Sequence, residues 1–356
     1  MKRVCFVGAH VRPWMENAAR HGYQVTAVDG FNDWDARFFG SLVEPEAPAR
    51  DASLLARFSG LPKEVPVIFC SPVESFPDFV EKASETRRVF NSPPPAVLKS
   101  RDFGFLRKFA GDGISAPEFE ADADGRARQG WIIKQAKSAG GAGVRKDDGV
   151  LREGEYRQKF VEGGSVGAIF FSSGSGTKFC GVAAHINEGY RFAGCVYPAE
   201  ADPEALGAVA RFGQRFAEAV ELVGWWGADF ILGEGAPNLL EVNPRFTAGM
   251  ELMARAHGID LAGTQAAAFS GDKCHFDMGP NLGYHGRRVV YAGKNTVFKN
   301  PGKWFKAGMR DVPPDGAALA KGAPVLSIYA GGGIFSECLE NLRTTRSGFE
   351  RELYGE

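Results

Sequence analysis

The 356-residue chain has no long apolar run, no strong net charge and no paired-cysteine motif, and each absence removes a class of function. A membrane-spanning helix needs about 20 predominantly apolar residues, and no stretch approaches that. The apolar run Val4–Ala9 behind Met1-Lys2-Arg3 stops at His10 and Arg12. It is too short for a secretory leader and reads as a first buried strand. A formal net charge of −1 creates no field to gather nucleic acid or a membrane surface. The cysteines Cys5, Cys70, Cys180, Cys195, Cys274 and Cys338 are scattered, with no Cys-x-x-Cys among them. A zinc site or a disulfide framework is therefore not expected. They read as small core residues of a reduced, cytoplasmic protein. Two nucleotide signatures are missing as well. Gly8-Ala9-His10 is not a Gly-x-Gly-x-x-Gly fingerprint, and no glycine-rich loop ends in Gly-Lys-Ser/Thr. No covalent nucleophile falls at a convincing spacing.

What is present is the balance of a soluble globular protein, 44% hydrophobic and 24% charged, long enough for two or three subdomains with real cores. The densest chemistry lies between Gly227 and Arg245. Gly-Ala-Asp-Phe-Ile-Leu alternates as a half-buried strand does, Gly-Glu-Gly-Ala-Pro-Asn is turn chemistry, and Leu239–Asn243 resumes the strand. In such a hairpin Glu241, Asn243 and Arg245 share one face, and Asp229 on the partner strand can lie opposite them. Two carboxylates and an amide oxygen suit a magnesium ion. Arg245 would then meet an anion held by that metal. Upstream, the strand Trp131-Ile132-Ile133-Lys134 precedes Ser138-Ala139-Gly140-Gly141-Ala142-Gly143-Val144. Glycines there let backbone N–H groups turn toward phosphate oxygens, and Lys134 supplies a point charge. A third stretch, Tyr156–Gly163, reads as a short strand or hinge with Phe160 and Val161 near an adenine ring.

The order of lysine strand, glycine loop, hinge strand, then acid and Glu-x-Asn-x-Arg resembles the ATP-grasp superfamily, near its biotin-carboxylase-like and carboxylate–amine ligase branches. The resemblance spans roughly residues 1–275. It implies an α/β (α+β ATP-grasp) fold: an N-terminal small parallel-sheet domain over 1–95, a two-lobed ATP-grasp domain over 96–275, and a β-rich C-terminal segment over 276–356. The glycine-loop lobe would occupy about 115–155 and the metal-binding lobe about 156–275. Carried over by position, Lys134 is the phosphate lysine, and Ser138, Gly140, Gly141 and Gly143 belong to the lid. Lys159, Phe160 and Val161 flank adenine. Asp229, Glu241 and Asn243 hold one or two Mg²⁺, with Mn²⁺ as a substitute, and Arg245 stabilises the transferring phosphate. The family often opens its first helix with an Asp-Lys pair; Arg101-Asp102-Phe103 stands there, so Lys99 and Arg101 are both candidates for the first phosphate cation. Ser165 stands where a ribose-binding carboxylate is usual. Phe246–Glu251 replaces the Gln-Val-Glu-His-like run of biotin carboxylases.

The implied activity is an ATP-dependent ligase. A carboxylate attacks the γ-phosphate, an acyl phosphate and ADP form, and an amine displaces phosphate to give an amide. Arg191 and Glu251 are candidate substrate contacts. The expected partners are a small-molecule carboxylate and an amine, an amino acid such as glutamate among them, with no nucleic acid and no membrane. A homodimer is compatible with the resemblance. An ATP-grasp kinase and a nucleotide-binding protein without turnover are the alternatives.

Elsewhere the pattern predicts strands at 4–9, 24–28 and 67–70 with helices at 13–21 and 74–83, which argues for a small parallel sheet. Asn91-Ser92-Pro93-Pro94-Pro95 reads as a stiff linker, followed by a helix over 99–112. From His285 to Arg310 eight basic residues run without an acid: His285, Arg287, Arg288, Lys294, Lys299, Lys303, Lys306 and Arg310. They read either as a solvated positive face or as a rim that recruits a polyanion.

Overall fold

The computed structural model describes residues 2–43, 57–122, 124–136, 138, 140–141, 143–270, 276–281 and 283–355. Strands β1 (Arg3–Gly8), β2 (Gln24–Asp29), β3 (Ser41–Leu42) and β4 (Val67–Phe69) form a parallel sheet in the order β3-β2-β1-β4. Helix α1 (Arg12–Arg20) crosses from β1 to β2, and α2 (Pro77–Thr86) follows β4. Near-continuous apolar runs such as Val4-Cys5-Phe6-Val7, all buried, are what a sheet covered on both faces demands. Helix α2 starts three residues later than its apolar spacing suggests, because Pro77 suits a first helical turn.

The proline run passes directly into a helix. Pro94 and Pro95 form the first turn of α3 (Pro94–Arg101), where a missing N–H is no loss. The helix expected through 112 breaks at Asp102. That side chain accepts the Phe105 N–H and caps α4 (Phe103–Leu106). Four short strands then make a small sheet in the order β5-β8-β6-β7: β5 (Phe119–Glu120), β6 (Trp131–Gln135), β7 (Arg145–Lys146) and β8 (Glu155–Lys159).

The largest sheet has seven antiparallel strands in the order β13-β12-β9-β10-β11-β14-β17. Its strands are β9 (Gly164–Ser173), β10 (Gly176–Glu188), β11 (Arg191–Tyr197), β12 (Gly224–Leu232), β13 (Asn238–Asn243), β14 (Tyr284–Tyr291) and, after the short pair β15 (Thr296–Val297) and β16 (Ala318–Leu319), β17 (Pro324–Gly332). The carboxy-terminal strands β14 and β17 therefore extend the same sheet that carries the acidic hairpin. Period-two alternation sends Phe170, Trp226 and Phe230 to one face, under helix α5 (Pro203–Val220). Phe170 stacks on Trp226 with ring centroids 4.3 Å apart, and Phe212 of α5 meets Phe230 edge-on. Ile169, Phe171 and Trp225 point to the other face, against α6 (Ala248–His257), α7 (Leu261–Phe269) and α1. Trp14 of α1 packs on Phe246, joining the parallel sheet to the large one. After α8 (Pro301–Lys306), α9 (Phe335–Tyr354) closes the chain by burying Cys338, Leu342 and Phe349 over β14 and β17.

Five of the six cysteines are free and buried; Cys274 lies outside the described residues. The basic run at 285–310 is not one face. Arg287 is buried between Glu251 and Asp311, Arg288 pairs with Glu188, Arg310 with Glu16, and Lys303 with Glu352. A strand sends alternate residues to opposite faces, and acids from distant segments meet them there. Among the described residues no helix is long and apolar enough to cross a membrane.

Candidate functional site

The small sheet and the large sheet face each other across a cleft of about 890 Å³. Its floor is the β12–β13 hairpin. Asp229 stands directly opposite Glu241, and Gly227 opposite Asn243, in the antiparallel register. Asn243 Nδ2 lies 3.4 Å from Asp229 Oδ2. Burial, reinforced by the charge of Glu241, pushes the Asp229 carboxyl well above its usual range. Burial would raise Glu241 too, but Lys134 and Arg101 outweigh it and hold that carboxyl below its ordinary value. The pair is thus one acid that ionises readily beside one that resists ionisation, as two close carboxylates must be without a cation.

Three cations ring this pair. Lys134 reaches in from β6 and donates to Gln158 Oε1 at 3.4 Å. Arg101, at the end of α3, donates to the carbonyl oxygens of Ala136 and Ser138 and comes within 4.0 Å of Glu241. Arg245 is almost covered; its Nε donates to Glu74 Oε1 at 2.9 Å and one Nη to Asn243 Oδ1 at 3.1 Å. Burial alone would lower the Arg245 pKa, but Glu74 outweighs it and raises it. The guanidinium is therefore held as a fixed charge by an acid from the other end of the chain.

Ser138, Gly140 and Gly141 of the glycine loop line the same cleft. Phe192 N–H donates to the Gly140 carbonyl at 3.0 Å, which ties the loop to the start of β11. At Gly141, φ is +75° and a Cβ would collide with the Tyr190 carbonyl oxygen, so only glycine allows this approach. Phe160 and Tyr190 meet edge-to-face at the mouth, and Val161 lines the wall beside them. Deeper in, His185 lies 3.0 Å from Ser165 Oγ, and burial pushes its pKa down to about 4. Its imidazole is neutral near pH 7.

Several expected groups stand elsewhere. Lys99 is exposed and off the cleft wall, whereas Arg101 lines it. Two residues on a helix are separated by about 200°, so only one can face inward. On β8, Tyr156 and Gln158 point into the cleft, so Lys159 points away, where it pairs with Glu118. Its backbone N–H is taken by the Glu118 carbonyl. Gly143 sits behind the wall, against Gln135. Arg191 lies over the Tyr291 ring at 3.4 Å and bonds Glu188 and the Gly322 carbonyl, while its neighbour Phe192 lines the cleft. Glu251 is buried outside the cleft. Burial would raise its pKa, but Arg12, Arg287 and Arg255 outweigh that and hold it at about 2. The groups not foreseen are Gln158, Tyr190, Phe192 and Glu74. Glu74 carries no local signal, because only the fold brings it to Arg245.

Residues 103–249 match the sequence model of the ATP-grasp domain. The match is confined to that stretch, while nearly the full length of the chain shares the ATP-grasp fold. The biotin carboxylase domain of 2-oxoglutarate carboxylase from Hydrogenobacter thermophilus, solved with MgADP, ADP and bicarbonate, aligns with a TM-score of 0.74 at 11% identity, over 96% of this chain and 89% of that one. N5-carboxyaminoimidazole ribonucleotide synthetase from Thermus thermophilus aligns at 0.69 and 17% identity, over 99% and 98%. Phosphoribosylamine–glycine ligase from Thermotoga maritima aligns at 0.69 and 16% identity, over 96% and 95%. At these identities the likeness is one of fold. No curated protein matches the chain in sequence.

Proposed function

We propose that the protein is an ATP-dependent carboxylate–amine ligase that forms an amide through an acyl phosphate, releasing ADP and phosphate, in the biosynthesis of a cofactor or peptide-like small molecule. The observation that carries this reading is the ring of Lys134, Arg101 and Arg245 around the opposed acids Asp229 and Glu241. The donor set fits a hard divalent ion: two facing carboxylates, one of them buried and resisting ionisation, with an amide alongside. Asp229, Glu241 and Asn243 would hold one or two Mg²⁺ ions, or Mn²⁺, which when bound neutralise the phosphate tail.

The chain's own residues supply the rest. Lys134 and Arg101 stand on the glycine-loop side and would receive the inner phosphates. Arg245, anchored by Glu74, would meet the γ-phosphoryl group as a carboxylate attacks it in line. Phe160 and Val161 offer an apolar slot for the base. The glycine loop covers the phosphates and excludes water, which protects an acyl phosphate from hydrolysis. Holding the reactants together is the main contribution, worth up to roughly 7–11 kcal/mol in well-oriented systems.

The test is Mg²⁺-dependent turnover by purified protein against pooled carboxylates and pooled amines, resolving ADP from AMP. ADP and phosphate that appear only with both pools support the ligase. AMP overturns the acyl-phosphate route. ADP with a single acceptor and a phosphorylated product points to a kinase. No ADP in any pool, with nucleotide still bound, favours a binding protein.

A further inference from the structure

Away from the cleft, three segments meet at the carboxyl edge of the parallel sheet: the loop after β1, the loop after β2, and the turn at Asp311. His10 Nε2 lies 2.8 Å from Asp311 Oδ1. Asp33 is only 5% exposed, and its Oδ2 has no hydrogen-bond partner among the described residues. One donor atom from each of His10, Asp33 and Asp311 falls within 4.8 Å of the other two. The flanking acids are already committed. Asp29 accepts the backbone N–H groups of Val11 and Asp33, and Asp35 accepts those of Asp311 and Val312. A buried carboxylate oxygen facing other acids with no donor is rare in native proteins and points to a missing cation.

We infer that His10, Asp33 and Asp311 hold one divalent transition-metal ion at a structural site separate from the nucleotide cleft. An imidazole nitrogen with two carboxylates suits Zn²⁺ or Mn²⁺ better than Mg²⁺, which prefers oxygen ligands alone. Asp311 is oriented for this by Arg287, which donates to Oδ2 at 2.8 Å and leaves Oδ1 on the His10 side, where Arg12 Nε also reaches it. Arginines that hold a ligating carboxylate fix its direction. Binding replaces the His10–Asp311 hydrogen bond with two metal bonds and gives Asp33 its partner. The ion staples both loops of the parallel sheet to the segment that feeds β17.

The full chain, stripped with chelator and free of nucleotide, is titrated with Zn²⁺ alone, following stoichiometry and thermal melting. One equivalent should bind and raise the melting temperature. Asp33→Asn keeps the shape without the buried charge; it should weaken binding at least about tenfold and abolish the thermal shift. His10→Gln should also weaken binding, whereas Glu241→Gln should leave it intact. Absence of binding to the wild type overturns the inference. So does binding that survives Asp33→Asn, or binding that disappears in Glu241→Gln, since the ion would then sit in the cleft.

Discussion

At the scale of single residues, the site depends on charges that do not move. Glu241 faces Asp229 across the hairpin and is held ionised by Lys134 and Arg101. Glu241→Ala should reduce Mg²⁺-dependent ADP formation by about a hundredfold or more, while circular dichroism stays unchanged. His185 gives a pH signature. Its pKa is about 4 in the fold against an ordinary 6.5, so the unfolded chain binds the proton first. Its contribution to stability is full above pH 6.5 and is lost as pH falls toward 4. Asp29 and Asp35, raised by burial to about 6, act with the opposite sign over the acid range. The informative quantity is therefore a difference. Between pH 6.5 and 4, thermal melts of wild type should fall more steeply than those of His185→Gln.

At the scale of elements, two glycines mark where backbone or helix comes too close for a side chain. On α5, a Cβ at Gly213 would run into the Phe170 ring, which stacks on Trp226. Gly213→Ala should destabilise by about 1–3 kcal/mol through overpacking, read from denaturant melts, although alanine is the better helix former. In the loop, Gly141→Ala should spare the fold and impair turnover, because the loop can no longer reach the Tyr190 carbonyl. The loop of Gly141→Ala should also be cut faster by protease. The hairpin carrying the acids was legible in the sequence, since alternation and turn residues determine a hairpin locally. The helix boundaries near Pro94 and Asp102 were less so. A proline is read as a breaker unless its place in the first turn is known, and a capping side chain declares itself only once the chain has bent.

At the scale of the whole molecule, buried ion pairs tie the parallel sheet to everything else. Glu74, after β4, holds Arg245, after β13. Glu74→Gln should lower kcat by about tenfold with little change in the KM for ATP if Arg245 meets the transferring phosphate as proposed, because it loosens that group rather than a contact to bound nucleotide. Arg12 of α1 is fully buried and reaches Glu16, Glu251, Asp311 and Tyr329 at once. Arg12→Met removes the one guanidinium shared by these buried acids and leaves Glu16 to Arg20, Arg255 and Arg310, and Glu251 and Asp311 to Arg287. It should cost about 3–5 kcal/mol in denaturant melts, provided no compensating change is made among them.

The sequence by itself determined what depends on near neighbours. Period-two alternation set the strands, and glycines allowed the loop. The spacing of Asp229, Glu241, Asn243 and Arg245 placed an acid pair and an arginine on one hairpin. Only the tertiary structure decided what depends on distant segments: that Arg101 and not Lys99 enters the cleft, that Arg191 turns to Tyr291, that Glu251 belongs to a buried ion network, and that Glu74 anchors Arg245. A side chain's direction along a helix or strand follows from local periodicity, but its partner is chosen by which far element packs against that face. That choice is made by burial of the whole core, which no short stretch of sequence contains.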